Sequence, residues 1–275
     1  MGTGSLLFVT FAACGSAIAA QSSSAPDVQE LILRSVASIE SDWKQAPNFT
    51  FIERDVESKK DGTPTVKTYQ VFMIEGSSYN RLIAVNDRPL TQTQQAVEQQ
   101  KLETETIKRE HESVRERDKR TAKYVKERTQ NSAMIRAMAD AFDFKLTGEE
   151  VVNGHDCWVL SATAKPGYQP TSRETKVLTG MQGQLWIDKA QHQWVKVRGE
   201  VVKPVSFFGV FAKVGQGTNF ELEQEPIGNK IWLPKKFRMR VKASAFGVIN
   251  ENSTADETYA DYRPIIKGST AAVSK

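Results

Sequence analysis

Asn153-Gly154 separates two alternating runs, Phe144–Val152 and His155–Thr163, and no other feature constrains the chain more. Asn-Gly is a preferred two-residue hairpin connection because both residues tolerate the positive φ that a type I′ turn requires. An isolated hairpin is marginal in water, so the chain must supply further strands to build a sheet. It does. Asn48–Val56 sets Phe49, Phe51 and Glu53 against Thr50, Ile52 and Arg54, with polar groups taking over toward its end. Asp61-Gly62 is a turn, Thr65–Ile74 a second strand, and Ser78–Val85 a third that closes at Asn86-Asp87. Further on, Gly183–Asp188 and Gln193–Val202 pair across Lys189–His192, and Thr218–Gln224 and Lys230–Lys242 pair across Ile227-Gly228-Asn229. A last strand covers Glu257–Arg263.

Two helical regions interrupt this series. Asp27 is placed as an N-cap, and Val28, Leu31, Ile32, Val36 and Ile39 follow at helical spacing to Trp43, giving a single apolar face that must lie on the sheet. Between Glu98 and Arg128, ten basic and eight acidic residues occur in thirty-one, without Pro or Gly. Charge pairs such as Glu105/Arg109, and Glu112 and Glu116 with Arg120, suit a helix. Leu102, Ile107, Val114, Tyr124 and Val125 are too few to bury it, so a solvated helix or helical hairpin standing off the sheet is expected, or partial disorder. Ala133–Phe144, with Met134, Ile135, Met138 and Phe142, should dock this insertion onto the core.

Residues 1–20 carry no charge and contain the run Leu6–Ala13, then small residues to Ala20, which is the pattern of a secretory signal peptide. The run is too short to span a bilayer. Phe11-Ala12-Ala13-Cys14 loosely resembles a lipobox, so lipid anchoring through Cys14 in the outer membrane is the alternative to cleavage near Ala19 or Ala20. After such cleavage Cys157 stands alone, in an apolar strand that favours an inert thiol. The domain reading is therefore a signal at 1–20 and one domain at 21–275, with 91–140 as a helical insertion. The fold class is mainly β (α+β): an incomplete antiparallel barrel of about nine to eleven strands, an N-terminal helix and a charged helical insertion. A net charge of +4 is slight, so no nucleic acid is implied, and membrane contact would be at most peripheral.

Gly183-Gln184-Leu185-Trp186-Ile187-Asp188-Lys189, followed by Trp194-Val195-Lys196-Val197, resembles the core hairpin of the periplasmic lipoprotein-localisation factors and the related sigma-factor regulators. The order of export signal, helix, three strands, helical interruption and long strands is similar too, and Tyr259-Ala260-Asp261-Tyr262-Arg263 resembles the final strand. The resemblance implies a half-open barrel capped by helices, an apolar cavity for acyl chains and a periplasmic location. The charged 98–128 segment departs from that pattern.

Ser206–Phe211 and Ala245–Ile249 each place glycine among apolar residues. Phe207, Phe208, Phe211, Phe246 and Val248 are read either as a cavity lip touching acyl chains or as barrel strands with a glycine kink. Trp186 and Phe237 join them as candidate lining, and Trp43 and Trp158 as core or lining. Arg238, Arg240 and Lys242 alternate with Phe237, Met239 and Val241, forming either a solvated outer face or a docking stripe for lipid phosphates or an acidic envelope protein. His155 and Cys157 share a strand face, but His111 and His192 do not complete a zinc set, and no metal or cofactor is expected. No nucleophile or phosphate-loop motif is present, and Glu149 and Glu150 point to opposite faces, so no catalytic residue is assigned. Three functions fit: a carrier or sensor for a lipid or acylated ligand, an interaction module with a filled barrel and a charged docking arm, or a hydrolase with a polar cluster in its cavity.

Overall fold

The computed structural model describes residues 26–57, 64–207, 212–228, 231–245 and 249–265. The export signal, Cys14, the Asp61-Gly62 turn and Phe208, Phe211, Phe246 and Val248 lie outside these residues. Among the described residues no helix is long and apolar enough to cross a membrane.

Helix α1 (Val28–Gln45) begins where the cap places it, with the Asp27 carboxylate accepting from the Gln29 and Glu30 amides. A short 3-10 turn at Pro47 leads into β1 (Phe49–Glu57) and the meander β2 (Thr65–Ile74), β3 (Ser77–Val85) and β4 (Arg88–Pro89). After α2 (Gln92–Glu110) and α3 (Val114–Ala141) come β5 (Phe142–Val152), β6 (His155–Ala164), β7 (Met181–Asp188) and β8 (Trp194–Val201). The chain ends in β9 (Val205–Phe207), β10 (Ala212–Val214), β11 (Asn219–Ile227), β12 (Ile231–Ala245) and β13 (Ile249–Pro264). Asn153 (φ 51°) and Gly154 (φ 83°) both occupy the left-handed region, as the turn between β5 and β6 requires. Ten strands are those the alternation indicates. The other three, β4, β9 and β10, have only two or three residues and are too short to show a period.

Among the described residues, the thirteen strands form one antiparallel sheet in the order β4-β3-β2-β1-β13-β12-β11-β8-β7-β6-β5, with β10 and β9 added beside the end of β12. Its two ends, β4 and β5, are not neighbours, so the barrel is incomplete. The inner face of its β5–β8 half is filled. Leu31, Ile32 and Ile39 of α1 pack on Leu160, Leu185, Ile187, Trp194 and Val197. The last turns of α3 bury Ala137 and Ala141 against Leu178, Met181 and Val201. Polar groups then fix α1 in place: Ser35 Oγ accepts from Trp194 Nε1 at 2.9 Å. The buried Asp42 carboxylate accepts from Gln193 Nε2 at 2.7 Å and the Trp232 amide at 2.8 Å.

The charged segment does not stand off the sheet. It is a helical hairpin that straddles the β2–β3 turn, and its few apolar residues are supplemented by buried arginine. Arg109, only 6% exposed, donates to the carbonyl oxygens of Ile74 (3.1 Å) and Ser77 (3.0 Å) and pairs with Glu105 at 2.8 Å. From α3, Arg120 donates to the Glu75 carbonyl (3.0 Å) and Ser77 Oγ (2.7 Å). Its carboxylate partner is Glu112 at 2.6 Å, eight residues away across the elbow. Glu116 instead closes a capping box with Ser113. Burial that composition assigns to leucines is here achieved by guanidinium groups saturated with backbone oxygens. Ala133–Phe144 docks as expected, although α3 ends at Ala141 and Phe142 and Phe144 already belong to β5.

Candidate functional site

In the other half of the barrel, helix and sheet do not close on each other. A cleft of about 720 Å³ lies between the end of α1, the middle of α3, the end of β2 and Ile265. Its apolar walls are Trp43, Pro47, Met73, Tyr124, Val125 and Ile265, and Val125 is 56% exposed. Trp43 faces the cleft because α1 turns its buried stripe to the sheet one position earlier, at Asp42. The Tyr124 hydroxyl donates to Met73 Sδ at 3.7 Å, which ties α3 to the β2 rim. Lys44, Arg128 and Arg136 supply the charges around the cleft.

From Met73 the same sheet face continues through Val71, opposite Phe51, into the concave floor. Phe51 packs on Tyr259 and Tyr262, with ring centroids at 6.0 and 5.2 Å. The Tyr262 hydroxyl donates to the Pro234 carbonyl at 2.7 Å. Beyond these rings the floor becomes acidic. Glu53 stands opposite Tyr69 on one side and Tyr259 on the other, and Asp55 stands between Lys67 and Glu257. Burial, with the charges of Asp55 and Glu257 adding to it, pushes the Glu53 carboxyl up to about 7. Burial and the Glu257 and Glu57 charges push Asp55 up to about 6, against the opposing effect of Lys67. One Asp55 carboxylate oxygen is buried without a partner. Burial, followed by a hydrogen bond to Glu257, also raises the Tyr259 phenol. Phe237 (opposite Glu257) and Met239 (opposite Ala255) extend this face across β12.

Of the residues singled out in the sequence, Phe237 is on the concave face and half-buried. Trp43 lines the cleft. Trp186 does not face the cavity. Its neighbours Leu185 and Ile187 pack on α1, so alternation turns Trp186 to the outer face, where its Nε1 donates to Glu150 at 2.7 Å. Trp158 is half-buried against the α1 core, with Lys189 Nζ 4.4 Å from its ring centre. Phe207 ends β9. Because Ala212 pairs with both Phe207 and Ala245, the strand ends flanking 208–211 and 246–248 lie side by side on one rim. Arg238, Arg240 and Lys242 are exposed on the outer face, where Arg238 pairs with Asp256 at 3.0 Å. Cys157 is fully buried, and desolvation pushes its thiol up to about 11, consistent with an inert side chain. His155 lies 4.6 Å from the Trp232 ring and 3.5 Å from Asp188. Among the described residues no three metal-binding side chains converge.

Met73, Tyr124, Arg128, Asp55 and Glu257 are site residues that the sequence does not single out as such. A signal for Glu53 existed, because alternation already set it on the face of Phe49 and Phe51. For Tyr124 and Arg128 there was none, since a highly charged helix does not reveal which side meets the sheet.

No protein-family model and no curated protein matches the sequence. Among solved structures the chain is similar to a LolA superfamily protein from Nitrosomonas europaea, with 12% identity, a TM-score of 0.32, and coverage of 86% of this chain and 98% of that one. It is also similar to a putative outer membrane lipoprotein-sorting protein domain from Vibrio parahaemolyticus, at 11% identity and a TM-score of 0.34, covering 89% of this chain and 95% of that one. A third likeness is to the MucA/MucB complex of Pseudomonas aeruginosa, at 11% identity and a TM-score of 0.22, over 86% of this chain and 99% of that one. These are likenesses of fold, and the functional reading rests on the geometry of this chain.

Proposed function

We propose that the chain is an exported cell-envelope protein that holds the apolar chain of a lipid or an acylated protein in its half-open barrel, as a carrier or a sensor. The observation that carries this reading is the contrast between the two halves of one sheet. The β5–β8 half is filled by α1 and α3, whereas the β1–β2 side keeps a cleft of about 720 Å³ walled by Trp43, Met73 and Tyr124. That volume falls within the usual range for small-molecule sites, and its lining has the composition such sites share. Export rests on residues 1–20, and a periplasmic location follows from it. No covalent chemistry is required of the protein.

Native mass spectrometry of protein recovered from the cell envelope tests the reading. Bound lipid or acylated peptide should be detected, and Met73→Asp and Tyr124→Asp should lose it while retaining the far-UV spectrum. A clean apo mass under gentle conditions overturns it.

One observation favours a second reading, the hydrolase. Glu53 is held near neutrality beside Asp55 on the inner face, the polar cluster that such an enzyme needs. Ligand recovered uncleaved after prolonged incubation sinks that reading.

A further inference from the structure

The cleft is apolar in its walls and one-signed in its charge. Among the described residues, Lys44, Arg128 and Arg136 line it and no carboxylate does. Arg136 is paired with Glu40. Lys44 is exposed in the last turn of α1, where a cation also complements the helix dipole. Arg128 also meets that helix end, but its bond to the Trp43 carbonyl uses only part of its donor set. Its guanidinium lies 4.5 Å from the Trp43 ring centre and 5.7 Å from that of Tyr124, and it donates to the Trp43 carbonyl. Among the described residues no acid pairs with it. Arg109 and Arg120, by contrast, are each bonded to a carboxylate and to several main-chain or hydroxyl oxygens. Arg128 therefore has no carboxylate partner among the described residues and keeps most of its five donors, over two rings and beside an apolar wall. A planar guanidinium so held is suited to an anion with two or more oxygens.

We propose that Arg128, with Lys44, receives a phosphate-class head group of the amphiphile at the mouth of the cleft while its chain lies on Met73 and Tyr124. This rests on the amphiphile reading above and adds the class of head group that the cleft selects. The polarity of the concavity fits: cations line the cleft, and Asp55 and Glu257 lie farther along the same sheet face, where an anionic head would be repelled.

The test is displacement of the uncharged fluorophore N-phenyl-1-naphthylamine from the mature protein by three ligands: palmitoyl lysophosphatidate, monopalmitoylglycerol with the same chain, and inorganic phosphate. Lysophosphatidate should bind about tenfold more tightly than monopalmitoylglycerol, a difference of about 1.4 kcal/mol. Added salt should shrink that ratio. Arg128→Gln should bring the ratio close to one. Arg128→Lys should retain part of it, and the exposed Lys44→Gln should lower it without changing thermal stability. A purely structural role for Arg128 would lower stability and leave the ratio unmoved. Equal binding of the two lipids by the wild type overturns the head-group assignment while leaving the amphiphile reading intact. Binding of neither lipid overturns both. Tight binding of inorganic phosphate alone shows a free-anion site instead and refutes the link to a chain.

Discussion

At Glu53, burial and two neighbouring acids all act against ionisation, and this fixes the sign of a pH effect. A carboxyl whose folded pKa is about 7, against an ordinary 4.5, favours folding most strongly below the ordinary value and loses that contribution as pH rises through 7. Stability should therefore rise as pH falls from 8 to 5.5, by an amount of order 2 kcal/mol. Glu53→Gln should flatten the dependence and stabilise the protein at pH 8. A melting temperature that falls over that interval in the wild type refutes the assignment. At lower pH the trend must reverse, because, against the opposing effect of burial, Glu221 is held below the usual range by Arg198 and Lys196, and Glu223 by Lys196. Cys157 yields a second expectation. Buried, with its thiol pushed up to about 11, it should react with a disulfide reagent only when the protein unfolds. Rapid labelling of the native protein would contradict the packing. Individual residues were legible in the sequence where alternation decides a face, as at Glu53 and at Arg238. They were not where a partner comes from distant chain, as at Asp42, whose ligands are Gln193 and Trp232.

Among the elements, the two helices of the charged hairpin depend on a small number of buried contacts. Removing Arg109 leaves the carbonyls of Ile74 and Ser77 in a dry setting, so Arg109→Ala should cost roughly 2–4 kcal/mol in urea unfolding and expose the 111–113 elbow to protease. Lys123→Ala, on the exposed face of α3 in the same hairpin, should leave the midpoint unchanged. A strand makes the matching point. Gly199 faces Gly183 across β7 and β8, and a Cβ there would stand 2.3 Å from the Phe220 ring and 2.9 Å from Met181 Cε. Gly199→Ala should cost about 1–3 kcal/mol by overpacking, and an unchanged midpoint would mean that Phe220 swings aside freely. Strands and hairpins were readable because a period of two and turn residues report on local geometry. The seating of α2 was not, because apolar content alone does not foresee an arginine satisfied by main-chain oxygens.

For the molecule as a whole, one sheet serves two purposes, and its stability should be divided accordingly. Amides of β7 and β8, beneath Ile187, Val195 and Val201, should exchange far more slowly than those of β2, whose inner face carries half-exposed Tyr69 and Met73. Uniform protection would argue that the β1–β4 side is as tightly packed as the rest. The unclosed antiparallel architecture was legible from strand order and hairpin turns, whereas the unequal filling was not. Both halves carry aromatic residues, and the seating of α1 and α3 decides which half is covered. The grip on the β2–β3 turn has a consequence of its own. Arg109 and Arg120 take hold mainly of main-chain oxygens, which every residue type presents alike. The fastened loop thus places little demand on the side chains at Ile74 and Ser78, whereas the fastener depends on its two arginines. In a lineage that changes its ligand, the rim of the cleft is free to be rewritten while the closure that holds it remains as it was.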